Sequence, residues 1–164
     1  MYSHIDQPTL KLPRQYKTVS FITVMIETLI GVLMYGTFIW LAHYLEWDQW
    51  THLLIHGLGI FALFYLVFKW LMPILIYRNF RYGNDETFFK MKSGAFIEKH
   101  EIVPMTKIQA VSTKQGPILR RYDFYAVTVK TMGSSHTIPA LPKEVAFTFR
   151  DTLAVLAKLK EEEV

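Results

Sequence analysis

Two long apolar runs dominate the first half of the chain, Val19–Leu45 and Leu53–Tyr77, with the polar segment 46–52 between them. A helix needs roughly 20 mostly apolar residues to cross the hydrocarbon core of a bilayer, and both runs exceed that. They predict a hairpin of two transmembrane helices over residues 19–77, preceded by a polar segment, 1–18. The first run is too long for the roughly 7–15-residue apolar core of a cleaved signal peptide, and no A-x-A-like site follows it.

From Arg78 the period shortens. Residues 86–92 and 95–103 read as two strands around a turn at Ser93-Gly94, and 107–115 alternates cleanly with Ile108 and Ala110 on one face. Gly116-Pro117 breaks that run, and 117–122 is a short linking piece. Phe124–Thr131 is rich in β-branched and aromatic residues, and after the turn 132–135 a short strand follows at 136–139. The chain closes with a helix from Lys143 to about Glu161, whose apolar stripe is Ala146, Phe149, Leu153, Leu156 and Ala157. The expected fold is therefore a membrane α-helical hairpin followed by an α+β domain over residues 78–164, a small antiparallel β-barrel or sandwich closed by a C-terminal helix.

At 51% apolar and 15% aromatic the chain is too apolar for a disordered protein. Its charge is uneven. Residues up to Tyr77 hold four basic and four acidic side chains, so the net charge of +4 falls entirely on the part from Arg78 onward. Lysine and arginine near the span ends set orientation. Lys11, Arg14 and Lys17 precede the first run and Arg78 and Arg81 follow the second, while the loop carries only Glu46 and Asp48. Both termini are expected in the cytoplasm and the loop outside, with the hairpin in an inner membrane. Trp40, Tyr44, Trp47 and Trp50 form the expected outer aromatic belt, and Trp70, Tyr77 and Tyr82 the inner one.

Two charges interrupt the apolar runs, Glu27 and Lys69. Each lies eight residues from the cytoplasmic end of its run, about 12 Å at 1.5 Å per residue. An antiparallel hairpin sets them at one level, and an intramembrane ion pair is expected. The alternative is that Lys69 snorkels to the headgroups and Glu27 is protonated or turned toward a partner. His43, His52 and His56 gather near the outer end, and the i, i+4 spacing of the last two suits a metal, but an interfacial location accounts for them as well and no acidic ligand has matching spacing.

The stretch Val103–Thr131 carries Pro104-Met-Thr-Lys107-Ile-Gln-Ala-Val111, then Gln115-Gly-Pro-Ile-Leu-Arg120, then the strand ending Val127-Thr-Val-Lys-Thr131. Ile138-Pro-Ala-Leu-Pro142 leads into the last helix. These motifs resemble those of the bacterial pleckstrin-homology-like family of YdbS-like membrane proteins, and the two preceding spans match that arrangement. Ala140 stands where glycine is usual, and Asp123 at a commonly apolar or glycine position. The resemblance implies a pleckstrin-homology-like barrel, and a partner, a larger YdbT-like multi-domain membrane protein. It also implies a role in envelope stress or antimicrobial-peptide tolerance. Self-association is the other way to fill the same surface.

No enzyme is expected. The sequence holds no G-x-S-x-G, no Walker loop, no H-E-x-x-H and no cysteine, and Ser134-Ser135 beside His136 reads as a hairpin turn. No cofactor, small-molecule substrate or nucleic acid is implied. The remaining candidates are basic: Arg14, Lys17, Arg78 and Arg81 as juxtamembrane anchors, and Lys90, Lys92, Arg120 and Arg121 for anionic lipid or a protein partner, although a solvated strand face is the plainer reading of these last four. Two readings stay open: an interaction module joined to another membrane protein, and a peripheral anionic-lipid-sensing domain on a permanent anchor.

Overall fold

The computed structural model describes residues 8–162. The remainder of the expected segments, residues 1–7 and 163–164, lies outside the described residues. The chain divides into two compact units: residues 20–74, and a second made of residues up to Val19 together with those from Leu75 onward.

Two helices, α1 (Gln15–Tyr44) and α2 (Gln49–Asn79), supply the first unit, and their ends, residues 15–19 and 75–79, belong to the second. The helices are 30 and 31 residues long, about 45 Å each, enough to cross a bilayer. Both extend beyond the apolar runs, because the polar flanks 15–18 and 49–52 continue the helical ladder. The loop shrinks accordingly. Glu46, in the left-handed conformation at φ 51°, ends α1, with Glu46 N–H bonded to the His43 carbonyl and Trp47 N–H to that of Ala42. α2 runs on through Pro73.

The second unit is built on two antiparallel sheets. The first has the order β1 (Leu10–Lys11), β2 (Arg81–Asn84), β3 (Phe88–Ser93), β4 (Lys99–Pro104). The second has the order β5 (Ala110–Lys114), β6 (Phe124–Lys130), β7 (Ser135–Pro142). A 3-10 turn at Met105–Lys107 links the sheets, α3 (Pro117–Arg121) links β5 to β6, and α4 (Lys143–Glu162) closes the domain. No ladder among the described residues joins β4 to β5 or β1 to β7, so the barrel is not closed.

Alternating residues of both sheets fill one core: Phe89, Met91 and Val103 from the first, Val127, Val129 and Ile138 from the second. Ala146, Phe149 and Leu153 of α4 seal it, as their spacing predicts, and the Phe149 ring sits T-shaped on Tyr82 at 5.4 Å. Tyr82 is thus a core residue and not part of an aromatic belt; burial raises the pKa of its hydroxyl.

Several elements differ from the sequence expectation. Residues 95–98 form a turn, not strand: the β3–β4 ladder ends at Ser93–Lys99, Gly94 bends the chain at φ 120°, and Asn79 Nδ2 donates to the carbonyls of Gly94 and Ala95 (3.3 and 3.1 Å). Residues 117–121 are helical: Gly116 is the N-cap and Pro117 fits the first turn, where its missing N–H costs nothing. The largest difference is at the N-terminus. β1 pairs with β2, and Leu12 and Tyr16 are buried in the domain core, so the segment before the first span packs as part of the domain.

Candidate functional site

Within the helical hairpin, Lys69 Nζ is ion-paired with Glu27 Oε2. Neighbouring polar groups extend this into a patch. Trp70 Nε1 donates to Thr28 Oγ1 at 3.3 Å, and the Thr28 hydroxyl donates to the Val24 carbonyl at 2.7 Å. The Tyr65 ring lies 5.6 Å from the Lys69 ammonium. The pair is not enclosed: the Lys69 and Glu27 side chains remain 34% and 46% exposed. Nearer the loop, the Tyr35 hydroxyl bonds His56 Nδ1 at 2.9 Å, lying across Gly59, where a β-carbon would strike the Tyr35 ring. His43, His52 and His56 do not converge: among the described residues no three His, Cys, Asp or Glu side chains are grouped to hold a metal.

The basic candidates separate into distinct settings. Register places Lys11 opposite Arg81, Arg81 opposite Lys92, and Lys92 opposite His100, one basic row across all four strands of the first sheet. Paired residues share a face of the sheet, so these four side chains stand side by side. Lys92 Nζ and His100 Nε2 both reach Glu98 Oε2, at 2.8 and 3.6 Å, and the Lys92 ammonium holds the Glu98 carboxyl below its usual range. Arg81 Nη1 donates to the carbonyls of Arg78 and Phe80, tying the end of α2 to β2. Arg78 is exposed, as is Arg14 before α1, and the Lys17 ammonium lies 4.2 Å from the Tyr77 ring centroid, a cation–π contact.

Lys90 departs from the expected set. It is only 8% exposed and its ammonium lies 2.6 Å from Asp85 Oδ2, so it offers nothing to a lipid or partner. Asp85 Oδ1 in turn accepts from the N–H groups of Thr87 (2.9 Å) and Phe88 (2.6 Å), an Asx turn. Partial burial pushes the Asp85 carboxyl up, but Lys90 and these donors outweigh it and hold the pKa at about 2. Arg120 and Arg121 are exposed on α3, in the second sheet's β5–β6 connection, outside the basic row.

One cluster was not legible in sequence. Ser134 Oγ lies 2.7 Å from His136 Nε2, and His136 Nδ1 lies 3.0 Å from Glu101 Oε2. The turn residues are therefore bonded as a Ser–His pair after all, and Glu101, 35 positions earlier in the chain, completes the line. The order hydroxyl, imidazole, carboxylate is that of a nucleophilic hydrolase. The serine, however, is locked into the β6–β7 turn. Its N–H donates to Thr131 Oγ1 (3.0 Å), its carbonyl accepts from Thr131 N–H (2.9 Å), and its hydroxyl also meets the Thr131 hydroxyl at 2.8 Å. The arrangement works as a latch between β4 and β7, beside an open cleft of about 1000 Å³.

Two helices long and apolar enough to span a bilayer, with a two-sheet domain closed by a helix, define a membrane-anchored pleckstrin-homology-like protein. The chain belongs to the bacterial PH domain family, which matches it over residues 15–157. It is similar to the transmembrane protein YdbS of Bacillus subtilis (strain 168), with 32% identity over 124 residues, 76% of this chain and 77% of that one. No solved structure matches it.

Proposed function

We propose that the protein is a non-enzymatic interaction module that joins a larger YdbT-like membrane protein bearing several such domains. In this reading both termini are cytoplasmic, the hairpin sits in the bacterial inner membrane, and the assembly serves envelope stress or antimicrobial-peptide tolerance, as the family resemblance implies. The observation that carries it is the exposure of the Glu27–Lys69 pair. Side chains 46% and 34% exposed within the apolar segments face hydrocarbon, where a charged group costs several kcal/mol. A neighbouring helix with polar groups removes that cost.

The test is purification of the full-length protein in mild detergent from cells that also express a multi-domain YdbT-like protein. Stoichiometric co-purification, lost in the Glu27→Leu/Lys69→Leu double variant, supports the reading. Recovery of the protein alone, or only as a homo-oligomer, contradicts it. The basic row on the first sheet favours a second reading, an anionic-lipid-sensing domain on a permanent anchor; headgroup-dependent behaviour without a protein partner is its signature.

A further inference from the structure

The turn between β3 and β4 presents two large apolar residues to solvent, Phe96 at 65% exposure and Ile97 at 76%. The turn is shaped by its sequence. Gly94 adopts φ 120°, and a β-carbon there would run into the Ile97 carbonyl oxygen, so only glycine closes the bend in this form. It is also pinned. Asn79, the last residue of α2, donates from one side-chain amide to the carbonyls of both Gly94 and Ala95.

Asn79 lies two residues beyond Tyr77, where the second apolar run ends, a rise of about 3 Å along a helix. The turn is therefore fastened to the chain within one helical turn of the end of the second apolar run. Immediately behind it in register stands the row Lys11, Arg81, Lys92 and His100, with Ser93 and Lys99 the last pair before the turn. Like charges set directly opposite one another destabilise a sheet. Glu98 offsets part of that repulsion, but it reaches only Lys92 and His100 of the row, while Arg81 donates to backbone carbonyls. A surface of anionic headgroups supplies the missing counter-charge, and its boundary with the acyl chains takes the apolar tip.

We propose that the Gly94–Glu98 turn is a wedge for the membrane interface: Phe96 and Ile97 enter the headgroup–acyl boundary of the leaflet from which α2 emerges, and the Lys11–Arg81–Lys92–His100 row binds anionic phosphate headgroups. This rests on α1 and α2 being membrane spans. The wedge fixes the domain against the lipid surface at a third point, beyond its two covalent connections to the helices, and makes its docking depend on the charge of the leaflet. The ligand is bilayer phospholipid, not a soluble phosphate.

The native chain has no cysteine, so one engineered thiol carries one label. Full-length Ile97→Cys, labelled with the polarity-sensitive fluorophore NBD, is reconstituted into vesicles of phosphatidylcholine alone or mixed with phosphatidylglycerol. Met132→Cys, 87% exposed on the β6–β7 turn, is the reference position. With phosphatidylglycerol present, the label at 97 shifts to the blue, is quenched by brominated phosphatidylcholine, and resists aqueous iodide severalfold better than the label at 132. Each basic residue near an anionic surface is worth roughly fivefold in occupancy. Adding Lys11→Gln and Lys92→Gln therefore abolishes the response to phosphatidylglycerol, and excess inorganic phosphate does not mimic it. Equal iodide access at 97 and 132, in protein that still floats with the vesicles, overturns the wedge while leaving the membrane anchor intact. Shielding from iodide without quenching by brominated lipid overturns it in favour of a protein contact. Failure to float overturns the anchor itself.

Discussion

His136 on β7 reaches Glu101 on β4 through an Nδ1 to Oε2 distance of 3.0 Å, and these strands belong to different sheets. Because no ladder among the described residues bridges the two sheets there, a side-chain bond holds an edge that a closed barrel would hold with backbone. The imidazole is buried, and removing its acceptor leaves Nδ1 without a protein partner. Glu101→Ala is expected to cost about 1–3 kcal/mol, and Glu101→Gln, which keeps an acceptor oxygen, less. All four tryptophans lie between Trp40 and Trp70, so hydrogen exchange of the β4 and β7 amides is the suitable readout. Faster exchange in both strands is the expected result.

Asp85 gives the domain a defined acid sensitivity. Its ordinary pKa of 3.8 is lowered to about 2 in the folded state, so it favours folding wherever it is ionised. That contribution is complete above pH 3.8 and is lost as pH falls toward 2. Asp85→Asn should therefore weaken the domain near neutral pH and flatten the dependence of stability on pH across that window. Urea denaturation at pH 6, 4 and about 2.5, in the range set by these two values, checks this.

Leu12, before the first span, is 2% exposed in the domain core. Leu12→Ala is expected to destabilise the domain by about 2–5 kcal/mol, the usual range for a buried leucine. Thermal unfolding followed by far-UV circular dichroism measures it. A segment that merely led into the membrane would tolerate the change without effect.

The pairing of Glu27 with Lys69 invites a double-mutant cycle. Glu27→Gln and Lys69→Met each leave one uncompensated polar group in an apolar segment, and each is expected to destabilise the hairpin by about 2–3 kcal/mol on the membrane-insertion scale. The double variant should recover most of the loss, because neither charge then needs a partner. Unfolding of reconstituted protein in graded sodium dodecyl sulfate measures all four corners. A double variant no more stable than the worse single would contradict the pairing.

The spans and the last helix were legible because their signals are local: an unbroken apolar run in one case, a stripe at 3.6-residue spacing in the other. What was lost depends on partners distant in sequence. Nothing around Leu10-Lys11 marks a strand, since a two-residue strand has no period and its partner begins 70 positions later at Arg81. Phe96 and Ile97 looked like strand because they are apolar; the left-handed Gly94 bends the chain there, and the distant Asn79 amide pins the bend through the neighbouring carbonyls. Lys90 and Lys92 are indistinguishable in sequence, two basic residues on one strand face, yet Asp85 holds one of them in a covered ion pair. The Asp123 departure from the family pattern has a backbone reason: at φ 54° the position favours glycine, and aspartate is among the side chains that tolerate it best.

The central claim is that a hairpin with both ends on one side of the membrane holds a pleckstrin-homology-like domain at that surface. The cysteine-free background allows a direct measurement with a membrane-impermeant maleimide on intact bacterial cells whose outer barrier admits the reagent. Asp48→Cys in the loop and Ser135→Cys in the domain are compared before and after permeabilising the cytoplasmic membrane. The account predicts labelling at 48 in intact cells and at 135 only after permeabilisation. Labelling of 135 in intact cells, or of 48 only after permeabilisation, would contradict it.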